Sequence, residues 1–260
     1  MEISIFASGS KGNCAAVTGG GNILIDAGVS MRRISRSLAD LNISAGELDG
    51  ILITHEHSDH IAGLPMLLKH NPTPVYTTHT IANRLAGMYP EIECNLNVIT
   101  PGEPFPLGEI MVKAFKTPHD SADSVGYRLE NGSVLGFATD TGMITDEMLE
   151  NLSGTDTAVI EANYDEMMLR NGGYPLFLKR RILSNFGHLS NIMSAELART
   201  LAESGTKSIV LAHLSQENNL PETARRTVEA NLAGENVELF VAPAAGFMRL
   251  PIKGAGECLV

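Results

Sequence analysis

The segment Thr54-His55-Glu56-His57-Ser58-Asp59-His60 reads H-x-H-x-D-H and puts three imidazoles and the Asp59 carboxylate within six residues. Such a mixture crowds like charges and displaces apolar contacts, so it is costly to bury unpaired. A divalent cation relieves that cost. Neutral histidine and ionised aspartate suit Zn²⁺, Mn²⁺ or Fe²⁺. His55 and His57 alternate along an extended stretch and can face one ion. Asp59 and His60 are adjacent, and a turn can aim both at a second. Two such ions lower the pKa of a shared water and make hydroxide available near neutral pH, which is hydrolytic chemistry.

The surrounding elements must hold these groups in place. An apolar run from Ile51 to Ile53 leads into the motif, and an apolar, helix-like run from Ile61 to Leu68 leads out, so the motif joins a strand to a helix. Further chemistry-bearing residues also stand just past predicted strands. Asp26 follows the strand 23–25, His119 follows 110–115 through Pro118, and Asp140 follows 133–138. Glu161 follows 158–160, and His213 follows 208–212. Strands are also predicted over 3–7, 14–18, 75–76, 124–129, 237–241 and 247–250. Helices are predicted over 31–41, 81–88 with Thr80 as its cap, 174–183, 191–203 and 221–232. The stretch 90–108 reads as a loop holding one short strand, 96–99. No linker or composition break interrupts residues 1–260, which read as a single domain.

Hydrophobic content of 43% is ample for a packed core, and frequent glycine with no tryptophan suits a loop-rich α/β protein. The net charge of −11 excludes a general nucleic-acid binder, whose phosphate contacts need lysine and arginine. It leaves room for a nuclease whose cations gather at one mouth beside its metals. Cys14, Cys94 and Cys258 are odd in number and far apart, and read as reduced thiols of a cytoplasmic protein. The N-terminus alternates as a strand and lacks a basic leader. No apolar run approaches membrane-spanning length, so no membrane partner is expected. His70 and His79 read as helix-end or solvent-facing residues.

The H-x-H-x-D-H segment, with His119, Asp140 and His213 in that order, resembles the signature of the metallo-β-lactamase fold superfamily. The resemblance implies a four-layer αβ/βα sandwich: two mixed β-sheets packed face to face with helices on the outer faces. It implies two divalent transition-metal ions, one on His55, His57 and His119, the other on Asp59, His60 and His213, with Asp140 bridging. A hydroxide shared by the ions would be the nucleophile, and Asp26 would support the metal loop through hydrogen bonds. A bridging aspartate belongs to the branch with glyoxalase II, lactonases, ribonuclease Z and phosphodiesterases.

Three loops narrow that branch. Ser8-Gly9-Ser10-Lys11-Gly12-Asn13, Gly187-His188-Leu189-Ser190-Asn191 and His213-Leu214-Ser215-Gln216-Glu217-Asn218-Asn219 together resemble the WalJ (YycJ) type of bacterial metallohydrolase. These are relatives of ribonuclease Z and of the phosphodiesterase PhnP. The type implies 5′→3′ exonuclease activity on DNA, with His188 as general acid to the leaving oxygen and Asp59 counted beside it as catalytic. Because a helix N-terminus disfavours imidazolium, a carboxylate must hold the His188 proton, and Glu161 is the candidate. Ser8, Ser10, Lys11 and Asn13 can cradle a phosphate or simply turn a hairpin. Lys179, Arg180 and Arg181 are expected to face solvent in the main. No long insertion precedes Lys179 and no long Gly/Pro-rich arm is present, which disfavours tRNA processing. The alternative on the same metals is an ester, lactone or thioester hydrolase of the glyoxalase II or lactonase kind. Oligomeric state is not legible.

Overall fold

The computed structural model describes residues 1–254. Cys258, read above as a reduced thiol, lies outside them. The first half of the chain runs β1 (Glu2–Ala7), β2 (Cys14–Thr18), β3 (Ile23–Ile25), α1 (Met31–Ala39), β4 (Gly50–Leu52), α2 (Ser58–Ile61), α3 (Leu64–His70), β5 (Val75–Thr78), α4 (His79–Met88) and β6 (Leu96–Ile99). The second half runs β7 (Pro104–Leu107), β8 (Ile110–Lys116), β9 (Val125–Glu130), β10 (Val134–Ala138), α5 (Asp146–Leu152), β11 (Thr157–Glu161) and α6 (Glu166–Asn171). It continues with α7 (Leu176–Ile182), α8 (Asn191–Glu203), β12 (Ser208–Ala212), α9 (Pro221–Asn231), β13 (Glu238–Val241) and β14 (Met248–Pro251).

The strands form two seven-stranded sheets, ordered β14-β1-β2-β3-β4-β5-β6 and β13-β12-β11-β10-β9-β8-β7. Both are mixed. In the first, β14, β1, β2 and β3 pair antiparallel and β3 to β6 pair parallel. In the second, β7 to β10 are antiparallel and β10 to β13 parallel.

Period-two alternation assigns each side chain to a layer. Ile23 and Ile25 join Val112, Tyr127, Val159 and Val210 in the core between the sheets. Leu24, Ile51 and Ile53 point the other way, onto Ile34 and Leu38 of α1, Leu64 and Leu67 of α3 and Ile81 of α4. Ile209 and Leu211 likewise pack outward against Leu197 and Leu201 of α8 and Val228 of α9. Strands covered on both faces are apolar throughout, which is why Ile23–Ile25 and Ile209–Ala212 read as unbroken apolar runs. The four-layer sandwich expected from the resemblance is the architecture found.

Several local expectations change. The helix after the metal motif is two short helices, broken at Gly63, which is followed by Pro65 near the start of the second. Helix α4 begins at His79 with Thr78, not Thr80, at its N-cap position. The loop 90–108 contains a second strand, β7, and α5 and α6 add two helices that the sequence reading passed over.

Candidate metal centre

The chemistry gathers where strands that point the same way end together. His55 lies beyond β4 and Asp26 beyond β3. His119 lies beyond β8, Asp140 beyond β10 and His213 beyond β12, while Glu161 is the last residue of β11. Asp26, Asp140 and His213 have φ of 59°, 55° and 55°. This left-handed backbone is uncommon outside glycine, and aspartate and histidine tolerate it better than most residues. A left-handed residue at a strand end folds its side chain back over the sheet edge. Three of them converge on one place. Close approach of three loops completes the frame. Asn13 N donates to Asp59 O at 2.7 Å and Gly28 N to Asn13 O at 2.9 Å. A Cβ on Gly28 would sit 1.6 Å from Asp59 O, so only glycine lets these loops meet.

Four imidazoles commit Nδ1 to a fixed partner and leave Nε2 for the cluster. His60 Nδ1 bonds Asp26 Oδ2 at 2.7 Å, and His119 Nδ1 bonds Gly187 O at 3.0 Å. His213 Nδ1 bonds Glu161 Oε1 at 2.8 Å, and His55 Nδ1 meets Thr54 Oγ1 at 3.0 Å. Partners of this kind set the tautomer and aim the free nitrogen at a metal. Asp26 also accepts from Thr54 N at 2.9 Å, so the same carboxylate anchors the start of the motif. His57 turns Nδ1 towards His55 Nε2, 3.0 Å away.

Donor atoms of His55, His57 and His119 lie within 4.8 Å of one another, and so do those of Asp59, His60 and His213, and of His55, His60 and Asp140. Asp140 Oδ2 and His213 Nε2 are buried with no hydrogen-bond partner. A buried carboxylate oxygen and a buried imidazole nitrogen left unbonded beside one another's neighbours are costly, and a cation satisfies both. The residues therefore fit divalent metal ions.

Electrostatics divide the histidines. Burial pushes the His55 imidazole well down and that of His119 down, which keeps their lone pairs available. Burial acts the same way on His60 and His213, but Asp140 with its neighbouring carboxylates outweighs it: His60 is raised and His213 is pushed up to about 10. Burial would raise Asp140, yet His213 and His60 hold it well below the usual carboxylate range. A positive charge is thus favoured at the His60 and His213 nitrogens, and a metal ion is one way to supply it.

Glu161 is fully buried and accepts four bonds. One oxygen takes His188 Nδ1 at 2.7 Å and His213 Nδ1 at 2.8 Å; the other takes Thr141 N at 3.0 Å and Leu189 N at 3.1 Å. Burial alone would raise its pKa, but His188 and His213 bring it to about 2. His188 keeps 19% of its side chain exposed, against 3% for His213. One carboxylate therefore orients an enclosed histidine and an accessible one.

The Ser8–Asn13 turn divides. Ser10 and Lys11 are exposed. Ser8 and Asn13, expected as phosphate contacts, are buried and turned inward. Ser8 Oγ accepts from His213 N at 2.6 Å. Asn13 Oδ1 accepts from Gly9 N at 2.8 Å, and its Nδ2 lies 3.2 Å from Asp59 Oδ2 and 2.9 Å from His60 Nε2. Asn13 Nδ2 thus faces the cluster, and Ser8 Oγ holds the backbone of His213. Asp120 was not singled out from the sequence. It stands 3.2 Å from His119 Nε2 and 3.7 Å from His57 Nε2, and Arg181 pairs with it. Its place directly after His119 was the only signal. Glu56 holds Arg84 and Ser121 outside the cluster. Lys179 Nζ bonds the carbonyls of Arg170 and Gly172, both at 2.7 Å, so of the three basic residues only Arg180 is exposed without such a tie. His79 is exposed beside Asn83, and His70 is exposed at the end of α3.

Fold and site together define a class, and the chain belongs to the β-lactamase superfamily: the model of the β-lactamase superfamily domain matches residues 21–214. Within it, the chain is 37% identical over 231 residues to the exodeoxyribonuclease YycJ of Bacillus anthracis, which covers 88% of each chain. It is 38% identical over 239 residues to the exodeoxyribonuclease WalJ of Streptococcus pneumoniae, covering 90% of this chain and 88% of that one. The resemblance drawn from the three loops is borne out. The fold is shared with the metallo-β-lactamase fold protein YhfI of Bacillus subtilis, at TM-score 0.73 and 16% identity over 95% of this chain and 98% of that one.

Proposed function

We propose that this chain is a metal-dependent exonuclease that hydrolyses DNA phosphodiesters from the 5′ end, with two divalent ions of zinc, manganese or iron. His55, His57 and His119 would hold one ion and Asp59, His60 and His213 the other, with Asp140 available to both. The names of the two relatives, at 37–38% identity over most of the chain, support DNA as substrate. When bound, the ions supply Lewis acidity and an acidified water for attack on phosphorus. All seven ligands sit on one edge shared by both sheets, with Asp26 and Glu161 fixing imidazoles from behind. The core common to the two sheets supports reading the chain as one domain. Free thiols at Cys14 and Cys94 support a reducing cytoplasm. Among the described residues, no helix is long and apolar enough to cross a membrane.

The observation that carries the phosphodiesterase reading is the 2.7 Å bond between His188 Nδ1 and Glu161. With Nδ1 held by a buried carboxylate, Nε2 is the nitrogen left to carry a proton to the substrate. That proton goes to the departing oxygen of the sugar. A phosphodiester alkoxide is a poor leaving group, so a positioned acid matters far more here than for a thiolate. Asp59, 23% exposed, stands on the open side of the cluster, where it can orient the incoming phosphate as well as hold metal. The deciding experiment incubates metal-reconstituted protein with end-labelled single- and double-stranded DNA and RNA, beside a thioester and a lactone. Release of mononucleotides from DNA 5′ ends is expected. Thioester or lactone turnover far above any nuclease activity would overturn the assignment.

A further inference from the structure

Helix α7 and the loop that follows it carry a surface that the reaction above leaves unused. The helix buries Ile182 and packs Leu178 with Leu183 against Tyr164 and Leu169. Its outer side is not polar. Phe177 is 73% exposed and, beyond the helix end, Phe186 is 60% exposed. Arg180 is exposed one turn after Phe177. The helix contains Lys179, Arg180 and Arg181 and no acid, in a chain of net charge −11.

This surface is joined to the metal centre. Gly187 O, one residue after Phe186, accepts from His119 Nδ1 at 3.0 Å. Arg181 pairs with Asp120, itself 3.2 Å from His119. Adding a Cβ to Gly142, two residues past Asp140, would bring it within 2.4 Å of Asn185 C, so the loop carrying Phe186 lies flat on the Asp140 turn. Phe186, on the loop that leads into His188, therefore borders the metal centre, and Phe177 and Arg180 are exposed on the helix that precedes that loop.

We propose that Phe177 and Phe186 form a stacking platform for the bases of a single strand of nucleic acid whose backbone enters the metal centre, with Arg180 against a phosphate. The proposal rests on the nuclease reading. Rings accept any base through its face, while cations follow the backbone, which is how sequence-tolerant single-strand binders work. A polyanion is favoured over a second copy of the chain, because the helix carries three cations and no acid.

The test measures affinity of the metal-loaded full chain for a phosphorothioate oligothymidylate and for an abasic oligomer of the same length and backbone. The wild type is expected to bind the oligomer with bases more tightly. Phe186→Ala and Phe177→Ala should each weaken that binding by about 5- to 150-fold, the range for losing one base stack. Binding of the abasic oligomer should stay unchanged, and Phe186→Trp should keep the wild-type preference. Both positions are exposed, so unchanged melting temperatures are expected. Equal affinity of the wild type for both oligomers, or variants that bind as tightly as the wild type, overturns the platform. So does a change in sedimentation without a change in oligomer affinity, which marks a self-association surface. Cleavage of ordinary DNA by the same wild-type sample separates the two readings. A protein that cuts DNA while its phenylalanine variants bind normally loses the platform only; one that cuts no nucleic acid loses the nuclease reading and the platform with it.

Discussion

Glu161 shares one oxygen between His188 and His213, yet the two histidines differ in exposure, 19% against 3%. An enclosed imidazole whose Nε2 has no partner suits a metal; a half-open one with its Nδ1 held suits proton transfer. His188→Ala is therefore expected to keep both metals and the fold while lowering kcat on DNA about a hundred- to ten-thousand-fold. The loss should shrink on a p-nitrophenyl phosphodiester, whose leaving group needs little protonation. Loss of metal from His188→Ala, with full metal retained by His213→Ala, would show the roles exchanged. Both histidines precede Leu-Ser, so the bare motif could not separate them; the rigid strand end before His213 did. At Ser8 the sequence was a poorer guide. Its hydroxyl meets a backbone amide 205 positions away, and a turn of small residues carries no mark of such a partner. Ser8→Ala should accordingly weaken metal retention at His213 and leave the salt dependence of DNA binding unchanged. Lys11→Ala is the variant expected to flatten that dependence, because Lys11 is exposed. An unchanged salt slope in Lys11→Ala would reduce the whole turn to scaffolding.

Helices α6 and α7 stand on a small cluster of Tyr164, Leu169 and Ile182, separate from the main core layers. Tyr164 is the largest side chain of that cluster. Its burial, helped by Glu166 and Glu161, raises the phenol from 10 to about 12. The sign follows from linkage. Below pH 10 both folded and unfolded chains keep the proton and the stabilisation is whole. Between pH 10 and 12 the unfolded chain ionises first, so stability falls as pH rises. The change is on the order of 2 kcal/mol. Tyr164→Phe, which cannot ionise, should lose that part of the alkaline slope in urea unfolding followed from pH 9 to 12. An identical slope in wild type and variant would contradict it. The cluster was not legible beforehand, because α6 is short and has no apolar repeat of its own. Its start is set by Asp165, whose side chain accepts from Met168 N at 2.9 Å. Strand β7 was hidden for a related reason: Pro104 and Pro106 read as loop, yet an edge strand tolerates proline. By contrast β2, β3, β6, α8 and β12 have the predicted ends: β2 stops at Gly19, and α8 starts after the capping Ser190.

Across the whole molecule, the proposed ligands come from both sheets: His55, His57, Asp59 and His60 follow β4 of the first, whereas His119, Asp140 and His213 follow β8, β10 and β12 of the second. Composition and periodicity could predict an α/β protein. They could not predict that β14 returns to β1, which pairs Glu2 with Pro251 and closes the first sheet. The order of ligands along the chain pointed only to two packed mixed sheets, through the resemblance, and not to this pairing. Ions at this edge would pin the sheets to each other and neutralise Asp59 and Asp140. Metal bound by the folded chain alone stabilises it by about 2.7 kcal/mol when free ion is a hundredfold above Kd. For a chain of this size that corresponds to about 5–10 °C in melting temperature. Exhaustive chelation should lower the melting temperature by that amount, and zinc or manganese should restore it. Asp140→Ala removes the carboxylate placed between the two ion sites. It should gain less in melting temperature from added metal than the wild type does, bind less than its wild-type complement of ions by elemental analysis, and lose most activity on DNA. Melting that does not respond to metal in the wild type would mean that the sheets are held by their apolar core alone. Full activity with a single ion per chain would remove the dinuclear part of the assignment and leave the fold untouched.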